Sequence, residues 1–165
     1  MKKNSIQWGP LFSAGFTGLL LTFCLSFTPL FASEIESIIS SKIPPDGVVF
    51  EIAESAEGDL QELLPKVLDA IARIRRVHPE TEFAVVSHGR EEFALQTQNQ
   101  NEYSAIHKNV ISLVNDDVPV YVCETHAGWY GVTAEDFPDY VEVAPTGPGQ
   151  ISLYEEMGYQ LIRIE

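Results

Sequence analysis

The run Val118-Pro119-Val120-Tyr121-Val122-Cys123 constrains the fold more than any other stretch of the chain. Apolar and β-branched residues fill it with no polar alternation, which is the pattern of a strand covered on both faces. Strands of that kind belong to parallel sheets flanked by helices. The neighbouring segments repeat the theme. Strand-like runs at 48–53 and 82–87 alternate with a helical one at 58–77, where Leu60, Leu63, Leu64, Val67, Leu68, Ile71 and Ile74 recur at three- and four-residue steps. Arg73, Arg75 and Arg76 crowd its last turns, where cations suit the helix dipole. Pro65 is a candidate for its true start, because proline is welcome in a first turn and costly further in. Residues 90–102 have no clear period and read as a short helical start followed by a mobile loop.

A second helical pattern runs through Ile106, Val110, Ile111 and Val114 in 103–114, and Asn115-Asp116-Asp117 breaks it. After the central strand come a short capped turn at 133–138, a strand at 140–143, a helix at 150–157 stopped by Gly158, and a last strand at 159–164. Strand and helix alternate throughout, and no hairpin signal interrupts them. The expected architecture is therefore α/β: a three-layer α/β/α domain over 47–165 with a five-stranded, mainly parallel sheet and right-handed crossovers.

The amino-terminal third reads differently. Lys2 and Lys3 precede an apolar run from Leu11 to Phe31, which ends in Leu30-Phe31-Ala32-Ser33 ahead of the first acid, Glu34. This is the layout of a secretory signal over 1–32, cleaved after Ala32, with a polar linker at 33–46 and a periplasmic or secreted product. Removing 1–32 takes two lysines and none of the 24 acids, leaving 8 basic residues and a formal charge of −16. Such a surface repels phosphate backbones and anionic lipid, which excludes nucleic acid and, after signal cleavage, the membrane as expected partners.

The chain beyond the signal keeps one cysteine, Cys123, at the carboxyl end of the central strand. In open parallel sheets that edge borders the ligand crevice. Exported proteins that use cysteine for stability carry it in pairs, so a lone thiol at a crevice points to chemistry. His126, three residues on, and His88, at the end of the neighbouring strand, are the candidate catalytic partners, able to pair with a thiolate or hand on a proton. Arg90, Thr125 and Trp129 complete the set as substrate-binding candidates, Arg90 for an anion such as a thiosulfonate and Trp129 as an apolar roof. Cys123-x-x-His126 with His88 also offers three borderline metal ligands, but a lone Cys-x-x-His is thin ground, and no metal or other cofactor is expected. His78 and His107 are expected on helix surfaces.

The strand ending in Cys123, the earlier His88-Gly89, the series Asp136-Phe137-Pro138 with Pro145-Thr146-Gly147, and Met157-Gly158-Tyr159 together resemble the DsrE/DsrF-like family over essentially all of 47–165. The resemblance implies flavodoxin-like layering and a sulfur carrier that holds sulfane sulfur as a persulfide on Cys123. It also implies thiol or sulfur-donor proteins as partners and a homo-oligomer, trimeric or hexameric. Here Cys123-Glu124-Thr125-His126 stands where many small members have Cys-Gly-Asn.

Overall fold

The computed structural model describes residues 30–165. Five strands form one sheet: β1 (Gly47–Ile52), β2 (Glu82–Ser87), β3 (Val120–Cys123), β4 (Glu142–Ala144) and β5 (Tyr159–Ile164). Their order is β4-β3-β2-β1-β5 and every pairing is parallel, so the expected mainly parallel sheet is parallel throughout. Helix α1 (Leu30–Ser40) precedes the sheet, and α2 (Leu60–Val77), α3 (Ser104–Asn115), α4 (Glu124–Trp129) and α5 (Gly147–Glu156) connect its strands in turn.

Three connections step in one direction across the sheet and the fourth reverses it. Right-handed crossovers then require α5 to lie on the opposite face from the others. The packing agrees. Val48, Phe50, Ile52, Phe83, Val85, Val120 and Val122 meet Leu64, Val67 and Ile74 of α2 and Ile106 and Val110 of α3 in one core. On the other face Val49, Ala84 and Val86 meet Ile151 and Tyr154 of α5, together with Tyr159. Connections leave β3 and β4 toward opposite faces, so the crevice of the sheet opens between the ends of these two strands. Thr146 caps α5 there by accepting the Gly149 N–H at 3.1 Å, and Pro148 occupies the first turn. Gly147 must be glycine for packing reasons, because a Cβ on it would run into the side chain of His88.

Four boundaries depart from expectation. Residues 33–46 are not a plain linker: Ile35 and Ile38 of α1 are 0% and 2% exposed in the main core, beside partly buried Phe31 and Ile39. Serines and glutamates dominate that stretch, but its apolar residues fall at helical spacing, and Arg73 pairs with Glu36 to seal the contact with α2. The expected cleavage point after Ala32 falls within α1, and the rest of the expected signal, residues 1–29, lies outside the described residues. Pro65 sits inside α2 without starting it. The N–H it lacks would have met the carbonyl of exposed Gln61, which water can serve. The expected strand at 140–143 is displaced to Glu142–Ala144, because the Val141 N–H closes a turn onto the Pro138 carbonyl at 2.9 Å.

The fourth departure matters most. The stretch 90–102 does begin helically, as a 3-10 helix at Arg90–Leu95, but Glu91 to Leu95 are all buried, and in place of the expected loop a second 3-10 turn, Thr97–Asn99, leads on toward α3. Among the described residues no helix is long and apolar enough to cross a membrane.

If α1 belongs to the domain, Ile38→Ala should cost about 2–5 kcal/mol of stability through lost burial and a residual cavity. Urea unfolding of the full chain measures this, and an unchanged midpoint would return residues 33–46 to the role of a linker.

Candidate functional site

Two adjacent acids organise the carboxyl edge of the sheet. Glu91 and Glu92 are both 0% exposed, and the tight turn of the 3-10 helix sends their side chains to different strands. Glu91 accepts the Ser87 hydroxyl at 2.7 Å, the Gly89 N–H at 3.0 Å and the Glu54 N–H at 2.7 Å, binding the end of β1 to the end of β2. A Cβ on Gly89 would meet that carboxylate and the Glu54 carbonyl, so the approach is open to glycine alone. Glu92 reaches β3. It accepts the Cys123 N–H at 2.8 Å on Oε2, while Oε1 lies 2.7 Å from His126 Nδ1. Burial pushes both carboxyls above the usual glutamate range. For Glu92 the bonds from Cys123 and His126 work against that rise and the charge of Glu91 adds to it.

Cys123 is 4% exposed and is the N-cap of α4: its Sγ accepts the His126 backbone N–H at 3.3 Å. One residue therefore faces the thiol with its main chain and faces Glu92 with its ring. The imidazole is held in an aromatic sleeve. Phe93 stacks on it at 5.4 Å and 20°, and Tyr130 and Trp129 meet it edge-on at 5.3 and 5.6 Å. Trp129 itself is 75% exposed, so it covers the imidazole from outside.

The other expected site residues separate. The pairing of Ser87 with Val122, continued by one step, brings His88 beside Cys123 at the ends of neighbouring strands. The His88 ring turns the opposite way, to Glu51 Oε1 on β1 at 2.9 Å. Glu51 is shared with Arg163, whose Nε lies 2.6 Å from Oε2 as an ion pair without hydrogen-bond alignment. Thr125 gives both its N–H and its hydroxyl to the Pro145 carbonyl, at 3.2 and 2.7 Å, and so fastens α4 to the end of β4. Arg90 lies over the Tyr130 ring at 5.2 Å and reaches Glu57 only at 3.9 Å. Among the described residues no three of His, Cys, Asp and Glu are placed to hold a metal ion, and Cys123, His126 and His88 do not converge.

His107 is the other correction. It is 4% exposed, not a helix-surface residue, and it pins the 3-10 segment from behind. Nε2 donates to the Ala94 carbonyl at 2.9 Å, so Nδ1 accepts from the Tyr140 hydroxyl at 2.6 Å, which in turn accepts from Gln100 at 3.1 Å. His78 is half-buried and donates to the Ile38 carbonyl at 3.1 Å. The sequence reading missed Glu91 and Glu92 because acids default to solvent. The available signal was their place between a strand-ending Ser87-His88-Gly89-Arg90 and the apolar run Phe93-Ala94-Leu95.

Two outcomes follow from this network. Glu92→Ala leaves the Cys123 N–H and His126 Nδ1 without an acceptor and should cost about 2–4 kcal/mol, with Glu92→Gln, which keeps one acceptor, losing less; urea midpoints report both. Burial holds the pKa of His107 below the ordinary histidine value. Its contribution to stability is therefore complete above the unfolded value of about 6.5 and is lost as pH falls from there through the lowered folded value. Against His107→Gln, the wild type should lose stability more steeply as pH falls through that window, and equal slopes would contradict the assignment.

No protein-family model matches the chain, and no curated protein matches it. Among solved structures it is similar to MTH1491, a protein of unknown function from Methanobacterium thermoautotrophicum, with a TM-score of 0.58 and 25% identity over 70% of this chain and 96% of that one. BT1422, a conserved protein of unknown function from Bacteroides thetaiotaomicron, overlaps at a TM-score of 0.47 and 10% identity, over 70% of this chain and 94% of its own. The first likeness, with the parallel sheet and its flanking helices, establishes the α/β fold.

Proposed function

We propose that the protein carries sulfane sulfur as a persulfide on Cys123, as the DsrE-like resemblance implies. The observation that supports this most is the His126 N–H directed at Sγ, at the end of a strand whose backbone Glu92 holds in place. An N–H that the sulfur accepts fixes where Sγ points, and nucleophilic sulfur chemistry needs the attacking atom held in place. In loading, the Cys123 thiolate attacks the outer sulfur of a donor; a sulfur–sulfur bond forms and the donor's bond to that sulfur breaks with its electron pair. In unloading, an acceptor thiol attacks the outer sulfur of the persulfide and Cys123 leaves as thiolate.

The roles of the neighbours follow from their contacts. Glu92 fixes the Cys123 main chain and the His126 ring together, and the imidazole is the proton carrier available to a leaving group. With Cys123 only 4% exposed, the persulfide is sheltered from water, and a partner reaches it by local opening of the chain around the His126 sleeve. Protein partners on this reading are thiol or sulfur-donor proteins met outside the cytoplasm, and the subunits assemble as a homo-oligomer. The competing reading is a small-ligand module in which Cys123 is a bystander.

Intact mass spectrometry after incubation with polysulfide separates the two. The expected result is a gain of about 32 Da, one sulfur atom, that survives Cys24→Ser and disappears in Cys123→Ser. An adduct that ignores Cys123, or none with any donor, would sink the carrier.

A further inference from the structure

An open cleft of about 320 Å³ lies against the aromatic sleeve of His126, lined by Arg90, Phe93, Gln96, Gln98, Asn99 and Tyr130, with Glu57 and Val132 at its margin. Among the described residues the Arg90 guanidinium forms no side-chain hydrogen bond, and at 3.9 Å the Glu57 carboxylate is an ion-pair partner too far to take one. Its donors are held in place by stacking over Tyr130. Beside it, Gln96 is 5% exposed, and its Oε1 is occupied by Gln98 Nε2 at 2.7 Å. That leaves Gln96 Nε2 with no hydrogen-bond partner among the described residues, although it is not sealed from the cleft. A half-exposed guanidinium and a nearly buried amide donor, beside two aromatic rings, are the complement of an anionic head on a flat body.

We infer that this cleft binds a small organic monoanion, a sulfonate-type head on Arg90 and Gln96 with an unsaturated body against Phe93 and Tyr130. The net charge of the chain selects against dianions, since its long-range field opposes every added negative charge. The inference rests on the persulfide reading in one respect: it gives that reading a donor, an organic thiosulfonate. Phe93 and Tyr130 pack directly on His126, whose main chain touches Sγ, so this one layer of side chains stands between the cleft and the thiol and has to part before the donor's outer sulfur meets Sγ. In the transfer, the Cys123 thiolate attacks the outer sulfur of R–SO2–S⁻. The sulfur–sulfur bond of the donor breaks, sulfinate R–SO2⁻ leaves with the pair, and Cys123 becomes the persulfide. Charge and atoms balance with no added oxidant or reductant.

Calorimetric titration of the full chain with benzenesulfonate, which cannot transfer sulfur, tests the cleft by itself. Saturable one-to-one binding is expected, weakened about tenfold in Arg90→Ala and unchanged in Cys123→Ser, with sulfate weaker than benzenesulfonate. Tyr130→Leu should also weaken it while leaving the urea midpoint close to that of the wild type. The absence of saturable binding, or binding indifferent to Arg90, overturns the cleft. Benzenethiosulfonate with mass detection then tests the link: adduct formation on Cys123 that slows in Arg90→Ala supports the donor assignment. Benzenesulfonate binding with no adduct from benzenethiosulfonate or polysulfide overturns the persulfide reading and leaves the cleft standing.

Discussion

The carboxyl edge of this sheet is held together by two buried carboxylates on consecutive residues. Parallel strands end with backbone groups that no neighbour completes, and loops alone seldom satisfy them in a dry interior. Glu91 takes the donors at the ends of β1 and β2, and Glu92 takes those at the end of β3 and on α4. Their raised pKa values show that burying them costs free energy, and the donors only partly offset it. What that cost secures is position. The thiol, the imidazole and the turn at Gly89 are fixed relative to one another by the side chains of two consecutive residues.

The same 3-10 segment works on both of its sides. Toward the sheet it supplies the carboxylates. Away from the sheet, Phe93 stacks on His126 and Ala94 receives His107, so that α3 and the Tyr140 turn brace it from outside. One short stretch of chain thus adjoins the thiol, the aromatic sleeve and the Arg90 cleft. The thiol is placed by this arrangement more than by its own strand.

Periodicity in the sequence was enough for the sheet, for α2 and for the carboxyl-edge position of Cys123, because β-branched runs and three-four spacing report burial directly. It failed where burial is polar. Glu91, Glu92 and His107 look like surface residues in any window, and only the partners supplied from Ser87, Glu54, Cys123, Tyr140 and Ala94 make their burial tolerable. It also failed for α1, where four apolar residues at helical spacing are diluted by serines and glutamates. His88 shows the opposite limit: its place at the sheet edge was legible, whereas the direction of its ring depends on Glu51, a residue thirty-seven positions earlier whose inward face no local pattern announces.

The position of β5 has a consequence for how the chain reaches this state. β5 follows every other element, yet it pairs with β1, the first strand, along all six residues of each, and α1 rests partly on it. During synthesis β1 is therefore an open sheet edge until the last strand emerges, with Phe50 and Val49 lacking their neighbours Ile162 and Leu161. Closure of the sheet is a long-range event that pairs its first strand with its last, so β1 waits on β5 for its outer neighbour, and part of the floor of the amino-terminal helix arrives only then.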